Sequence, residues 1–364
     1  MNVEKVRSPS ECRRFDAIAR SIHEEHPQHR DTEASLLKLL VDGPTAFHAH
    51  AQVHACLLRE GGEVVGRCAL VHDRNLPDVV PVAFFEARRG LQGVLPALQE
   101  AARALGTGAR RLVVGLNGHL NYGAGILLDH FDEPPVFGLP WTPPWYPAWF
   151  EGCTCRRTVS YRFPLRGFYD WHERTAPGFD ARGITVRPLD KRDLRREVAR
   201  YTALDNEIFS GADTPLWSNR TPEENHELFH PFRFLIRSHN LLFAERAGRP
   251  IGFMLWYPDF NQLVPAGRDL GPWDVARFAL GARVPTVRLT EIAILPEFRS
   301  TPALAALYLA ALPYLRAGGH VTMEGGFIFE ENRRSVVMTE KYLERALGER
   351  LRPHRSYGIF EAGL

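Results

Sequence analysis

From Thr290 to Tyr308 the chain reads TEIAILPEFRSTPALAALY: an apolar run, a short basic-polar turn, then apolar residues spaced for a helix. The run predicts a buried strand. After the turn, Leu304, Leu307, Tyr308, Ala311, Leu312 and Leu315 recur with a period of about 3.6, the apolar stripe of a helix starting at Ala303. VTMEGGFIF follows, with Val321, Met323, Phe327 and Phe329 on one face, as in a half-buried strand. That strand ends in Glu-Asn, at Asn332.

The pattern occurs twice. LLREGGEVVGR (Leu57 to Arg67) and FAERAGRPIGF (Phe243 to Phe253) share a hairpin signature: apolar strand, charged pair, glycine turn, strand, glycine. Gly62 matches Gly248 and Gly66 matches Gly252, both 186 positions on. VAFFEARRGLQGVLPALQ (Val82 to Gln99) lies against EIAILPEFRSTPALAALY (Glu291 to Tyr308). A spacing that long means duplicated domains, because solenoid periods run to roughly 20–50 residues. Each half reads as helix, antiparallel hairpin, strand, helix, strand, helix, strand. The expected domains are 1–165 and 183–364, with 166–182 as a Pro/Gly-containing linker.

Composition narrows the class. The 364 residues suffice for two cores, and 45% hydrophobic with 24% charged residues is ordinary for a globular protein. A net charge of +2 gives no electrostatic case for nucleic acid or an anionic membrane. No apolar run approaches the roughly 20 residues of a membrane span. The start, MNVEKVRSPSECRR, lacks the apolar core of a signal peptide. The cysteines Cys12, Cys56, Cys68, Cys153 and Cys155 are odd in number and lack a framework spacing, which favours a reducing cytoplasmic setting. Cys153 and Cys155 have no second pair to complete a zinc site and read as ordinary thiols at a strand start.

The strand–turn–helix from Thr290 and the strand to Asn332 resemble the acyl-CoA-binding core of the GNAT (GCN5-related N-acetyltransferase) superfamily. Ala244 to Leu263 and Val336 to Glu361 resemble the last half of a GNAT-type family with two such domains per chain. Glu63 to Val71, Phe84 to Gly90 and Leu120 to Tyr146 resemble its N-terminal partner. The resemblance implies an α/β fold of mixed sheets in two tandem GNAT-like domains, with the first domain degenerate. It implies acetyl-CoA or another acyl-CoA as co-substrate.

The family's phosphate loop is Arg/Gln-x-x-Gly-x-Gly/Ala; this chain has Arg299-Ser300-Thr301-Pro302-Ala303-Leu304. Free N–H groups and the partial positive charge of a helix start, with a guanidinium beside them, suit a pyrophosphate. Pro302 stands where the family has glycine and removes one donor. The same residues also read as a plain helix start, with Thr301 as N-cap and Pro302 at the first helical position. The resemblance lays a pantetheine arm along Ile292, Ala293, Ile294 and Leu295 and gives Asn332 a contact to it. Asn332 is also an ordinary N-cap. The resemblance makes Glu291 the candidate general base, a partly buried carboxylate suited to taking a proton from an ammonium; paired with Arg288 or another cation, Glu291 would be structural. The family's acid, a tyrosine seven residues after the asparagine, is Thr339 here. Tyr342, Tyr308 and Tyr357 are the substitutes on offer.

In the first half Arg88 to Gly93 has its glycines out of register with such a loop. The segment from Gly115 to Pro147 offers Asn117, His119, Asn121, Tyr122 and Trp141, with Trp145 and Tyr146. It reads equally as a wall against an organic ligand and as a turn-rich seam between domains. His23, His26 and His29 are interrupted by Pro27 and read as exposed side chains; His48, His50 and His54 show no third ligand; no metal is expected. No nucleophile elbow, P-loop or dinucleotide fingerprint occurs.

The reading is an acyl-CoA-dependent N-acyltransferase acting on a small-molecule amine or an amino-acid-like acceptor, with no membrane partner. Two rivals share the architecture. A Fem-type transferase would use aminoacyl-tRNA, which Pro302 and Thr339 favour and the near-neutral charge opposes. A non-catalytic binding protein would keep the fold without turnover.

Overall fold

The computed structural model describes residues 1–30, 34–211, 214–265, 268 and 270–364. In chain order the first half comprises β1 (Asn2–Lys5), α1 (Pro9–His23), α2 (Ala34–Val41), β2 (Ala51–Glu60), β3 (Glu63–Asp73), β4 (Val79–Ala87), α3 (Val94–Arg103), β5 (Arg111–Val114), β6 (Ile126–Leu127) and β7 (Thr154–Pro164). The second comprises α4 (Leu165–Thr175), β8 (Ile184–Pro188), α5 (Leu194–Phe209), α6 (Pro222–Phe229), β9 (Leu241–Arg246), β10 (Arg249–Pro258), α7 (Pro272–Ala279), β11 (Thr286–Ile294), α8 (Ala303–Ala317), β12 (Thr322–Phe329), α9 (Arg333–Leu347) and β13 (Arg355–Gly363).

Local chemistry sets these elements. The hairpins β2–β3 and β9–β10 turn at Gly61-Gly62 and Ala247-Gly248, all with positive φ, the backbone that matches strand twist. α1 starts on Ser8, whose hydroxyl accepts from Glu11 N, with Pro9 next. α6 starts on a capping box: Thr221 Oγ1 accepts from Glu224 N at 3.2 Å, and Glu224 Oε2 accepts from Thr221 N at 2.7 Å. Along α8 the expected stripe is in the core: Leu307, Ala311 and Leu315 have no exposed surface.

The mixed α/β architecture agrees with the sequence reading, but the halves do not form separate sheets. One sheet runs β1-β2-β3-β4-β5-β13-β7-β12-β11-β10-β9-β8, with β6 added against β13. The last strands are exchanged. β13 pairs antiparallel with β5 of the first half, through Phe360 and Val114. β7 pairs antiparallel with β12 of the second, through Phe163 and Met323. The two exchanged strands pair with each other from Arg355↔Ser160 to Glu361↔Thr154. No periodicity within an element encodes that exchange. The segment 166–182, expected as a linker, mostly forms α4, which buries Leu165, Phe168, Tyr169 and His172 and packs on α9.

Strand register corrects the internal match. Gly66 pairs with Ala87 and Gly252 with Ile294, so Ala87 and Ile294 are equivalent, 207 positions apart. Val82 and Leu289, the last residues of β4 and β11 paired in parallel to β5 and β12, keep that spacing. Glu291 is therefore level with Phe84, not Val82. The extra 21 residues in the second half hold α7, inserted between β10 and β11.

Candidate active site

β11 and β12 run parallel from Thr286↔Thr322 only as far as Leu289↔Gly325, then part. On its other side β11 bulges at the same point. Leu255 faces Glu291 but Trp256 faces Leu289, so Thr290 is the extra residue. A bulge re-aims the side chains beside it and leaves a residue out of the ladder. Two cavities meet there. One, of about 270 Å³, lies in the splay of β11 and β12 under α9 and is lined by Leu304, Tyr308, Asn332, Thr339 and Tyr342. The other, of about 170 Å³, is walled by Leu36, Leu39, Phe137, Phe229, Phe232 and Tyr257. Leu120, Asn121, Arg288, Thr290, Glu291 and Phe327 line both.

Glu291 sits at that junction. Its Oε2 accepts the hydroxyl proton of Tyr201 at 2.6 Å. Below lies a buried ion pair, Asp205 with Arg220, the latter also donating to Asn225 Oδ1. Asp205 and Glu291 thus share the field of one guanidinium, and Asp205 holds it by contact. Burial pushes the Glu291 carboxyl up from its ordinary value; Arg220, the Tyr201 hydroxyl and Arg288 pull it down without cancelling the rise. A carboxylate raised in this way holds a proton more tightly than an ordinary one, which suits a proton acceptor.

Arg288 is the other charge at the junction. It is buried and donates to the Phe137 carbonyl at 3.2 Å and to Tyr257 Oη at 3.3 Å. Among the described residues it makes no ion pair with a carboxylate. A guanidinium opening on two cavities has the chemistry to recognise an anion.

The solved structures share this architecture. A tandem GNAT protein from the clavulanic acid biosynthesis pathway superposes at a TM-score of 0.55 over 100% of this chain and 98% of its own, at 16% identity. The chain has the tandem GNAT fold. A GCN5-related N-acetyltransferase from Sphaerobacter thermophilus gives 0.51 over 99% and 95%, at 12% identity. A GCN5-related glucosamine N-acetyltransferase region in a fungal multi-domain GH3 β-N-acetylglucosaminidase gives 0.55 at 12% identity, covering 99% of this chain and 38% of that one. No family model matches the sequence, and no curated protein matches it.

Within this fold the two splays differ. In the second half Leu295 N donates to Ile251 O at 2.9 Å, so its N–H faces β10 and is unavailable to an arm. Strand alternation then turns the N–H groups of Ile292 and Ile294 to the splay. In the first half the equivalent bond is Arg88 N to Val65 O. There the loop takes two donors of β4: Ala87 N bonds Tyr146 Oη at 2.8 Å, and Phe84 N bonds Asn117 Oδ1 at 2.9 Å. Trp141 and Ile126 fill the gap and leave a cavity of about 40 Å³. The loop from Gly115 has closed the first splay.

The phosphate-loop candidates lie at the open end of the second splay. Arg299 Nε donates to Ile294 O at 3.2 Å, which ties the turn to the strand end, and the side chain is partly exposed. Ser300 is exposed. Thr301 is not the N-cap: α8 begins at Ala303 with Pro302 in the cap position, while Thr301 Oγ1 donates to Phe298 O at 2.6 Å and accepts weakly from Ala303 N at 3.4 Å. Asn332 caps α9, its Oδ1 accepting from Ser335 N at 3.1 Å, and also lines the splay cavity. Thr339 lines it too. Of the substitute tyrosines, Tyr308 and Tyr342 stack on each other and line the splay cavity, Tyr342 Oη meeting His172 Nε2, while Tyr357 is fully buried on β13.

Of the five loop residues expected to face a ligand, Asn121 and Tyr122 line the apolar-walled cavity. The other three are structural. Asn117 caps the bulge at Phe84. His119 is buried, accepts from Asn121 N and meets Ser218 O. Trp141 fills the first splay, its indole donating to Phe131 O at 3.0 Å. Sequence reasoning missed Tyr201, Asp205 and Arg220. Tyr201 and Asp205 stand four apart on the buried face of α5, beside Val198, Leu204 and Ile208, and an acid in that stripe is the signal. Arg220 lies in irregular chain, where no period marks it. The histidines are not simply exposed: His23 is 95% buried, with Nε2 2.7 Å from Glu86 Oε2.

Proposed function

We propose that the protein is an acyl-CoA-dependent N-acyltransferase whose acceptor is an amine carrying a carboxylate, an amino-acid-like molecule with an apolar side group. The observation that carries this reading is the meeting of two cavities at Glu291, one in the β11–β12 splay and one apolar-walled, with Arg288 opening on both.

The acyl-CoA would enter the splay with its pyrophosphate at the α8 start, near Arg299, and its arm along Ile292 to Leu295. The N–H groups of Ile292 and Ile294 would hold the arm, and one beside the bulge would stabilise the oxyanion. The acceptor would lie against Phe137, Phe229 and Phe232, its carboxylate drawn to Arg288 and its nitrogen to Glu291. The ammonium passes a proton to Glu291. The freed nitrogen attacks the thioester carbonyl, the C–N bond forms, the C–S bond breaks, and the thiolate leaves. With Tyr342 Oη held by His172, the second proton, lost by the nitrogen as the amide forms, would pass through water in the splay to the leaving thiolate, and Thr339 would offer the sulfur a hydroxyl donor.

Thiol release from acetyl-CoA, measured with amino acids and with the matching decarboxylated amines, tests this. The amino acids should react faster, and Arg288→Gln should erase the preference while leaving slow turnover of the amines. No thiol release with any amine, at saturating donor that binds, would overturn the assignment in favour of a binding protein.

A further inference from the structure

In the first half the place of the acyl donor is taken by a polar cluster. His23 closes α1, His29 lies in the chain that follows, and Glu86 sits near the end of β4. One ligand-capable atom of each lies within 4.8 Å of the others. We propose that these three side chains bind a divalent cation of the zinc class. Two imidazoles and one carboxylate are a ligand set for such an ion, and three protein ligands leave a fourth position open.

Four observations support the site. The His23 and His29 rings lie face to face with centroids 3.6 Å apart, so the two imidazoles are immediate neighbours. His23 Nδ1 is buried and has no hydrogen-bond partner among the described residues. The carboxylate has outer support: Tyr146 Oη donates to Glu86 Oε2 at 2.9 Å, the kind of second contact that fixes a metal-binding carboxylate. His29 and Glu86 line the cavity of about 40 Å³ left in the closed splay, with room for an ion and one water.

Arg67 lies across the sheet from Glu86 and opposes a dication. It is held by Phe15, donating to Phe15 O at 3.1 Å with its guanidinium over the Phe15 ring, and with Arg30 it lines the same cavity. The other cluster of this kind among the described residues, His130, Glu133 and His354, is a poorer candidate. Its single carboxylate already takes Arg162 and Arg355.

The consequence would be a staple. A bound ion ties the end of α1 and the chain after it to β4, where the duplicate half would bind its donor instead. The inference is independent of acyl transfer.

The full-length protein, stripped with chelator and dialysed against zinc or cobalt, should retain one equivalent of metal, show the visible absorption of a tetrahedral cobalt site, and melt at a higher temperature with zinc than without. His29→Ala and Glu86→Gln should lose all three effects; His26→Ala and His130→Ala should keep them. Trp141 lies within 5.9 to 6.1 Å of the His23 and His29 rings, so its fluorescence should report the same titration. His29→Ala lies outside the helix and strand and is the variant expected to fold if Glu86→Gln does not. No retained metal in the parent, or equal retention in His29→Ala, would overturn the proposal.

Discussion

Tyr201 on α5 gives its hydroxyl proton to Glu291 on β11 at 2.6 Å, and so couples the helix floor of the cavity to the strand beside the splay. The bond stabilises the charged form of a carboxylate that burial pushes the other way. Asp205, one helical turn further on, keeps Arg220 beneath both groups. The position of Glu291 rests on a bulge and the state of its proton on three neighbours.

Glu291→Gln should lower kcat by about 10²–10⁴-fold, the usual worth of a positioned base, with acyl-CoA affinity nearly unchanged. Tyr201→Phe tests the coupling. The base acts deprotonated, so activity falls as pH drops through the Glu291 pKa. Loss of the phenol should move that acid limb to higher pH. A pH–rate profile of Tyr201→Phe that overlays the parent would separate Tyr201 from the base.

Acyl-CoA should bind the second half alone. Arg299 borders an open splay, whereas exposed Arg88 and Arg89 border one filled by Trp141 and capped by Tyr146 and Asn117. Calorimetry with CoA should show weaker binding for Arg299→Ala, by about 1.5–3 kcal/mol for a charged hydrogen bond, and none of that loss for Arg89→Ala. Equal loss in both would contradict it.

The exchanged strands predict that neither half folds alone. A chain ending at 165 lacks β13 beside β5, and one starting at 183 lacks β7 beside β12; each would expose an open edge between two buried faces. Expressed apart, the halves should aggregate; expressed together, they should recover a soluble complex, read by gel filtration. A soluble, protease-resistant second half on its own would show that the exchange contributes little.

What the sequence made legible is what a period encodes. The glycine turns at Gly62 and Gly248 marked two hairpins, and the α8 stripe marked its buried face, because each signal is local. The pairing of β7 with β12 joins residues more than 150 positions apart, and no local pattern carries that. The two-residue slip in the internal match escaped notice because strand side chains alternate with period two. A shift of two leaves every residue on its face, so Val82 and Phe84 look equally good against Glu291. His119 and Trp141 have the chemistry of ligand-binding residues and are buried in the seam instead. Residue type without burial does not distinguish the two.

The seam itself carries a pH-sensitive contact. His50 Nδ1 meets Asp73 Oδ1 of β3 at 2.8 Å, and its Nε2 meets Glu224 Oε1 of α6 at 3.2 Å, so one imidazole joins the two halves. The hydrogen bonds it donates to Asp73 and Glu224 raise its pKa to about 9 against partial burial. The other groups on these acids are Ser218 Oγ on Asp73 and Tyr122 Oη on Glu224, neither of which titrates near neutrality. The folded pKa lies above the unfolded value of about 6.5, so the folded state binds the proton more tightly. The stabilisation is complete below about pH 6.5 and is lost as pH rises towards 9. Glu224 is lowered in the fold, chiefly by His50 working against burial, so its own contribution fades only below the ordinary carboxylate range, outside this window. Urea unfolding at pH 6, 8 and 9.5 should show the parent losing stability across the series. His50→Gln should be less stable at pH 6 by about 1.5–3 kcal/mol, the worth of a charged hydrogen bond, and nearly flat from pH 6 to 9.5. The same slope in both proteins would place the titration elsewhere and reduce His50 to a neutral hydrogen-bonding group in the seam.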